Sequence, residues 1–382
     1  MVRVLIALFA CMIQSPALGR TLLQYEGRET GEQDTSYYEF EFSISENGSM
    51  MVMDLNSQLD RGELNIWFGG AGYQVIGNYT GRGSFHYTRE IFGPLSSAEP
   101  VTVRITVWRA AGEWLLDFQE IPRSAMLFSL LVSGCLVVLL TAAITVWAKR
   151  RLSISWKWLL VGAGTWVVGV IFKFVTAYFA NTPLLQIIKS SFGDLWYAPL
   201  GGVYIGLLTG IWEIGMTLVF ALLVRQMLEK PEYALGVGLG AGLIEALLIG
   251  LSSVVSFVTA LVGATGSDAI TGAVAQAAVL TPFIWLISSV ERMIAIMCHA
   301  SSRILVIFAV AHHKQRYFWA GFLILTLIDS VAGYYHLSGL INRVSSWWIE
   351  LLLLPVAVVS IPVIKWCFRR WQYPAQGEGL KG

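Results

Sequence analysis

The sequence predicts a polytopic α-helical membrane bundle of about seven transmembrane helices, preceded by an extracytoplasmic all-β domain of sandwich-like character. Composition is the first reason: 55% of the 382 residues are hydrophobic and 13% are charged, whereas soluble domains carry roughly a quarter charged residues. Distribution is the second. Residues 20–123 read as an ordinary soluble domain, and residues 124–368 arrive as long apolar blocks. Alternation is the third: Val101, Val103, Ile105 and Val107 share one face of a strand, and Thr102, Arg104 and Thr106 share the other.

Residues 1–19 have the pattern of a secretory signal peptide, with Arg3, an apolar run from Val4 to Ile13, and the small-residue ending Ala17-Leu18-Gly19. Leu8-Phe9-Ala10-Cys11 resembles a lipoprotein processing site, but the apolar run before it is short and Phe9 fits that pattern poorly. Short alternating runs follow at Tyr38–Ile44, Met51–Leu55, Leu64–Phe68 and Val101–Trp108, separated by turn signals at Glu46-Asn47-Gly48, Gly69–Gly72 and Ala111-Gly112. About seven antiparallel strands are expected. Cys11, Cys135, Cys298 and Cys367 all lie outside residues 20–123, so no disulfide supports this domain. His86 is its only histidine, and Trp67 and Trp114 read as core residues. The domain is therefore expected to bind a ligand or protein partner outside the cytoplasm rather than to catalyse.

Seven apolar blocks, at 124–148, 156–180, 199–228, 233–261, 282–311, 317–338 and 346–368, each approach the roughly 20 residues that a helix needs to cross a bilayer. Basic residues gather at alternate connections: Lys149, Arg150, Arg151 and Lys157, then Arg225 and Lys230, then Lys314 and Arg316, and finally Arg369 and Arg370. The positive-inside rule thus places the tail 369–382 in the cytoplasm and the β domain outside. The net charge is +1 and the basic residues form no continuous patch, which excludes a nucleic-acid partner.

Ionisable side chains interrupt these apolar blocks at Lys173, Glu213, Glu245, Glu291, Arg292, His299, Arg303 and Asp329. Each costs at least ~2.5–3.5 kcal/mol near the bilayer centre, so each marks a candidate site. At ~1.5 Å per residue, Glu213 lies ~22 Å, Glu245 ~18 Å, His299 ~18 Å and Asp329 ~20 Å from the predicted cytoplasmic ends. Four helices thus bring a polar group to one slab near mid-membrane. Arg292, His299 and Arg303 fall on one face of their helix with Ser288 and Ser302, and Gly238 and Gly242 lead along one face to Glu245. A buried salt-bridge network is the alternative to a site, since Lys173, Arg292 and Arg303 nearly balance Glu213, Glu245, Glu291 and Asp329.

Three segments carry a resemblance: the glycine-rich run Gly236–Ala246 ending in Glu245-Ala246, the run Glu291–His299 with Glu291-Arg292 and a histidine at the end, and Ile211-Trp212-Glu213. Over about residues 155–340 they resemble the YhfC family of intramembrane proteases, within the superfamily that includes PrsW and the CAAX-prenyl endopeptidases. The sequence departs from that family's motifs at Ile214 and Thr217, where a second glutamate and an arginine are usual, at Ala241, where a histidine often stands, and at Leu325, four residues before Asp329. The resemblance implies that a glutamate takes a proton from water that then attacks a peptide carbonyl. It assigns catalytic roles to Glu213 or Glu245 as base, His299 as holder of the water or proton donor, and Arg292 as stabiliser of negative charge, with Glu291 and Asp329 beside them. A zinc ion is compatible with the family, but His299, Asp329 and one glutamate are a meagre ligand set, so no cofactor is assigned.

Two functions remain open from the sequence: a divergent intramembrane protease acting on a membrane-anchored protein substrate, and a catalytically silent sensor or scaffold that works through its β domain. A transporter would also suit midplane charges, but no inverted repeat is visible.

Overall fold

The computed structural model describes residues 20–30, 35–70, 73–77 and 85–371. The signal segment and most of the tail lie outside them. The chain forms two compact units, one of residues up to Val132 with Val254–Ile284, the other of Ser133–Ser253 with Trp285 onward.

The first unit contains strands β1 (Arg20–Thr30), β2 (Thr35–Phe42), β3 (Ser49–Gly70), β4 (Tyr73–Gly77), β5 (Phe85–Leu95) and β6 (Val101–Ile121). These form one antiparallel sheet, in which β3 and β6 pair along almost their whole length. β1 and β2 divide the far edge of β6 between them, and β5 and β4 divide that of β3. The sequence suggested about seven strands, whereas the described residues hold six in a single sheet. The reason is that Ala111-Gly112 is a bulge inside a strand and not a turn. The β3–β6 register slips between Leu59 and Glu63, with Gly62 (φ 89°) and Gly112 (φ 137°) in backbone that favours glycine. A Cβ at Gly112 would sit 2.1 Å from the Gln58 carbonyl oxygen. The two segments on each side of the bulge, read as separate strands, are therefore one.

The alternation in β6 is realised: Val101, Val103, Ile105 and Val107 are buried, and Arg104 and Trp108 are exposed. Both halves of β6 feed a common core, because Phe68 from the far half of β3 meets Phe118 at 6.1 Å and Phe92 at 4.4 Å between ring centroids. Trp114 is buried in that core, against the backbone of Gly27. Trp67 lies on the other face, beneath the Arg104 guanidinium at 4.9 Å.

The helices are α1 (Arg123–Arg151), α2 (Trp156–Thr209), α3 (Gly215–Leu223), α4 (Pro231–Leu261), α5 (Ser267–Leu280), α6 (Ile284–Ala311), α7 (Gln315–Leu337) and α8 (Trp347–Arg370). Among the described residues, six helical stretches are long and apolar enough to cross a membrane, one of them running from Trp156 to Leu223. At ~1.5 Å per residue that stretch would be ~100 Å long if straight, several times the bilayer core. It instead turns back at Gly193 (φ 75°, ψ 177°), so that Tyr204 donates to Asn181 at 3.0 Å and Phe172 stacks on Trp212 at 5.2 Å. This one stretch is therefore long enough for two crossings, which would bring the six stretches to seven crossings. The expected connection at 181–198 is helical apart from that break. α5, at 14 residues too short to span, was not anticipated; Ala275 packs there against Met50, Val52, Ile121 and Met126 of the same unit.

Glycines set the spacing of the second unit. Gly236 and Gly240 on α4 meet Trp158 and Leu159 of α2, while Gly238 and Gly242, on another face, meet Ala300 and Ile296 of α6. One helix is thereby held between two others at backbone distance. Gly240→Ala should destabilise the protein by about 1–3 kcal/mol through overpacking, because its Cβ would lie 2.0 Å from the Leu159 carbonyl oxygen. Gly164→Ala, whose Cβ meets nothing within 4 Å, is the control and should melt in detergent at or slightly above the wild-type temperature. Equal melting of the two variants would show that close approach does not depend on the glycine.

Candidate functional site

Glu213 sits inside a single π-helical turn, Gly210–Ile214, between α2 and α3. Such turns are rare and recur at functional sites, because the extra residue redirects a side chain without ending the helix. Two contacts lock this turn. Gly169 from the first arm of α2 lies against the backbone of Trp212 and Glu213, and Gly206 and Gly210 lie against Thr326 of α7. The second contact brings Thr209 to Asp329, to which its hydroxyl donates. Where the resemblance led to an arginine, Thr217 is fully buried and donates to the Glu213 backbone carbonyl at 2.9 Å. A guanidinium reaches Glu213 from α6 instead, as Arg303 at 3.3 Å.

The glycine face of α4 places Glu245 beside α6. Gly242 abuts Ile296 and the Cβ of His299, and one turn later the Glu245 carboxylate meets His299 Nε2 at 2.7 Å. Arg292 donates one terminal nitrogen to Glu245 and the other to Glu291, the latter at 2.5 Å. Lys173 completes the set by bridging Glu213 at 3.3 Å and Asp329 at 2.9 Å. The two groups of ions join through Arg303, whose guanidinium contacts both Glu213 and His299 Nδ1. Glu213, Arg292, His299 and Arg303 are buried, so these charges depend on one another and not on solvent.

Glu213, Glu245, Glu291, Arg292, His299 and Asp329 all line one cavity of about 340 Å³. Its other walls are largely apolar, including Leu248, Ile249, Leu325 and Ile328. One donor atom from each of Glu213, Glu245 and His299 lies within 4.8 Å of the others. Asp329, which the sequence offered as a metal ligand, is held by Lys173 and Thr209, and a second glutamate takes its place. Two carboxylates and one imidazole make the three protein ligands usual for a catalytic divalent ion, so the donor set fits in number and spacing. The imidazole sets a condition. A guanidinium only donates, so Nδ1 accepts from Arg303 and Nε2 carries the proton toward Glu245. Ligation through Nε2 therefore requires Arg303 to release Nδ1 and keep its contact with Glu213.

Sequence reasoning singled out Lys173 and Arg303 as intramembrane charges without placing them in the site, and it passed over Thr209 and Glu350. Thr209 is an uncharged residue whose importance comes from the α2–α7 contact, and nothing in its neighbours signals that. Glu350 stands only a few residues inside its apolar block, where a charge at the interface would be ordinary, yet it is 2% exposed and lines the cavity.

A helical unit with membrane-length helices and a buried, ion-paired polar cavity defines the chain as a polytopic membrane protein with an internal site. Comparison with known families makes this specific. Residues 136–353, more than half of the chain, match the family described as YhfC intramembrane metalloprotease, and the chain belongs to that family. The match extends beyond 155–340 on both sides and leaves the sheet outside it. The uncharacterized membrane protein YhfC of Bacillus subtilis (strain 168) is 27% identical over 258 residues, which covers 63% of this chain and 95% of that protein. No solved structure matches.

Arg303→Met should lower stability in detergent by about 3–5 kcal/mol, because it leaves Glu213 in the interior with one cation fewer. Adding Glu213→Gln should recover part of that loss. A double variant no more stable than Arg303→Met alone would show that the two side chains are not energetically coupled.

Proposed function

We propose that the chain is an intramembrane peptidase that hydrolyses a membrane-anchored protein substrate at the cluster of Glu213, Glu245 and His299. The observation that carries this reading is the convergence of these three side chains, from separate helices, on one cavity. A divalent ion, when bound, would be held by the same three residues and would supply Lewis acidity and a more acidic water.

With no ion bound, Glu245 is the proton acceptor. Its second oxygen accepts from His299 Nε2 at 2.7 Å, so when the imidazole gives its Nε2 proton to the leaving amine, the proton that Glu245 took from water can replace it. Arg292 aims Glu245 and presents positive charge to the developing oxyanion, and Glu291 fixes Arg292. Lys173 and Asp329 orient Glu213 from the far side. The apolar walls suit a hydrophobic substrate segment. A silent sensor or scaffold accounts for the ion pairs but gives no reason for a cavity among them.

The basic residues at Lys149–Arg151, Arg225–Lys230, Lys314–Arg316 and Arg369–Arg370 support a cytoplasmic C-terminus, with the sheet, as a sandwich-like extracytoplasmic domain, recruiting substrate or an external ligand.

Glu245→Gln keeps the shape and one acceptor oxygen but removes the base, and it should reduce turnover of co-expressed membrane-anchored candidates by roughly two to four orders of magnitude. His299→Ala should do at least as much harm. Turnover that survives both substitutions in folded protein would exclude the hydrolase. A reporter fused after Arg370 should be active in the cytoplasm; activity outside would reverse the proposed topology.

A further inference from the structure

Glu350 stands apart from the ion-pair network. It lies in the first turn of α8 and is 2% exposed, it lines the same cavity, and its Oε2 is buried with no hydrogen-bond partner among the described residues. Charged or titratable groups within its electrostatic reach are Glu291, Arg292 and Tyr335. Tyr335 is committed elsewhere, donating to the carbonyls of Val344 and Ser345 at 3.2 and 3.1 Å. The terminal nitrogens of Arg292 are committed to Glu245 and Glu291. Three carboxylates at this end of the cavity thus share one guanidinium. A buried carboxylate without a partner is costly unless a cation reaches it.

We propose that Glu350 and Glu291 form a cation-binding subsite, which takes the ammonium or guanidinium of a lysine or arginine in a bound peptide segment. Ile349 and Leu353, on the same wall, offer apolar surface to the methylene stem of such a side chain. The subsite adjoins the histidine centre, because the fork of Arg292 holds Glu291 and Glu245 together. That the guest is a peptide rests on the peptidase reading; that it is cationic rests on Glu350.

The test is equilibrium binding to the full-length protein in detergent, read by fluorescence anisotropy. The probe is a labelled leucine-alanine peptide with one central lysine, compared with the same peptide carrying norleucine. Wild type should bind the lysine peptide about tenfold more tightly, the worth of one charge-assisted hydrogen bond. Glu350→Gln should erase the preference with little effect on the norleucine peptide, and Glu350→Asp should retain part of it. Melting curves confirm that each variant is folded. Equal affinities in wild type, or a preference that survives Glu350→Gln, would overturn the subsite. Absence of cleavage alongside an intact, Glu350-dependent preference would instead count against the peptidase and leave the subsite standing.

Discussion

Arg303 is fully buried, and its guanidinium contacts Glu213 on one side and His299 on the other. Almost every other feature of the helical unit can be traced to what this charge requires. An arginine in a membrane-length bundle cannot shed its proton, so acceptors must be brought to it and held there. Glu213 is brought by the π turn, and His299 by its position one helical turn earlier on α6. His299 then faces Glu245, Glu245 faces Arg292, and Arg292 faces Glu291. Each ion is made tolerable by the next, and the chain of pairings passes through the cavity.

Such pairings need backbones closer than ordinary side chains allow. The glycines of α4 provide this on two faces, and Gly206 and Gly210 provide it between α2 and α7. Close approach removes slack from the carboxylates: Glu245 and Glu213 come from helices that cannot slide without a clash of backbone atoms. The proposed peptidase centre, which would hold water and a peptide bond in fixed relation, would gain from that rigidity. The same network explains why deleting one ion is a poor test of chemistry, since the remaining partners are left charged and buried.

The sheet follows a different logic. Its core is made from the alternating faces of β3 and β6 and includes Trp114 and Phe118. The bulge at Gly62 and Gly112 lets two long strands bend where shorter strands would have needed turns.

The sequence by itself determined the elements whose signal is local. Apolar blocks of bilayer length, alternation in Val101–Trp108, and ionisable residues inside the blocks are visible because helix and strand periods act over a few neighbouring residues. It also marked Glu213, Glu245, His299 and Asp329 as belonging near one depth, since rise per residue converts position into height. It did not show that Ala111-Gly112 continues a strand, that the run from Trp156 folds back at Gly193 and not at a polar loop, or that α5 exists. Those outcomes depend on contacts between segments far apart in the chain. The pairing of charges was likewise decided only in three dimensions. Height along a helix says nothing of rotation about its axis, and it was the glycine contacts on α2 and α4 that turned Glu213 and Glu245 toward His299 and gave Asp329 to Lys173, while Glu350 Oε2 was left without a hydrogen-bond partner among the described residues.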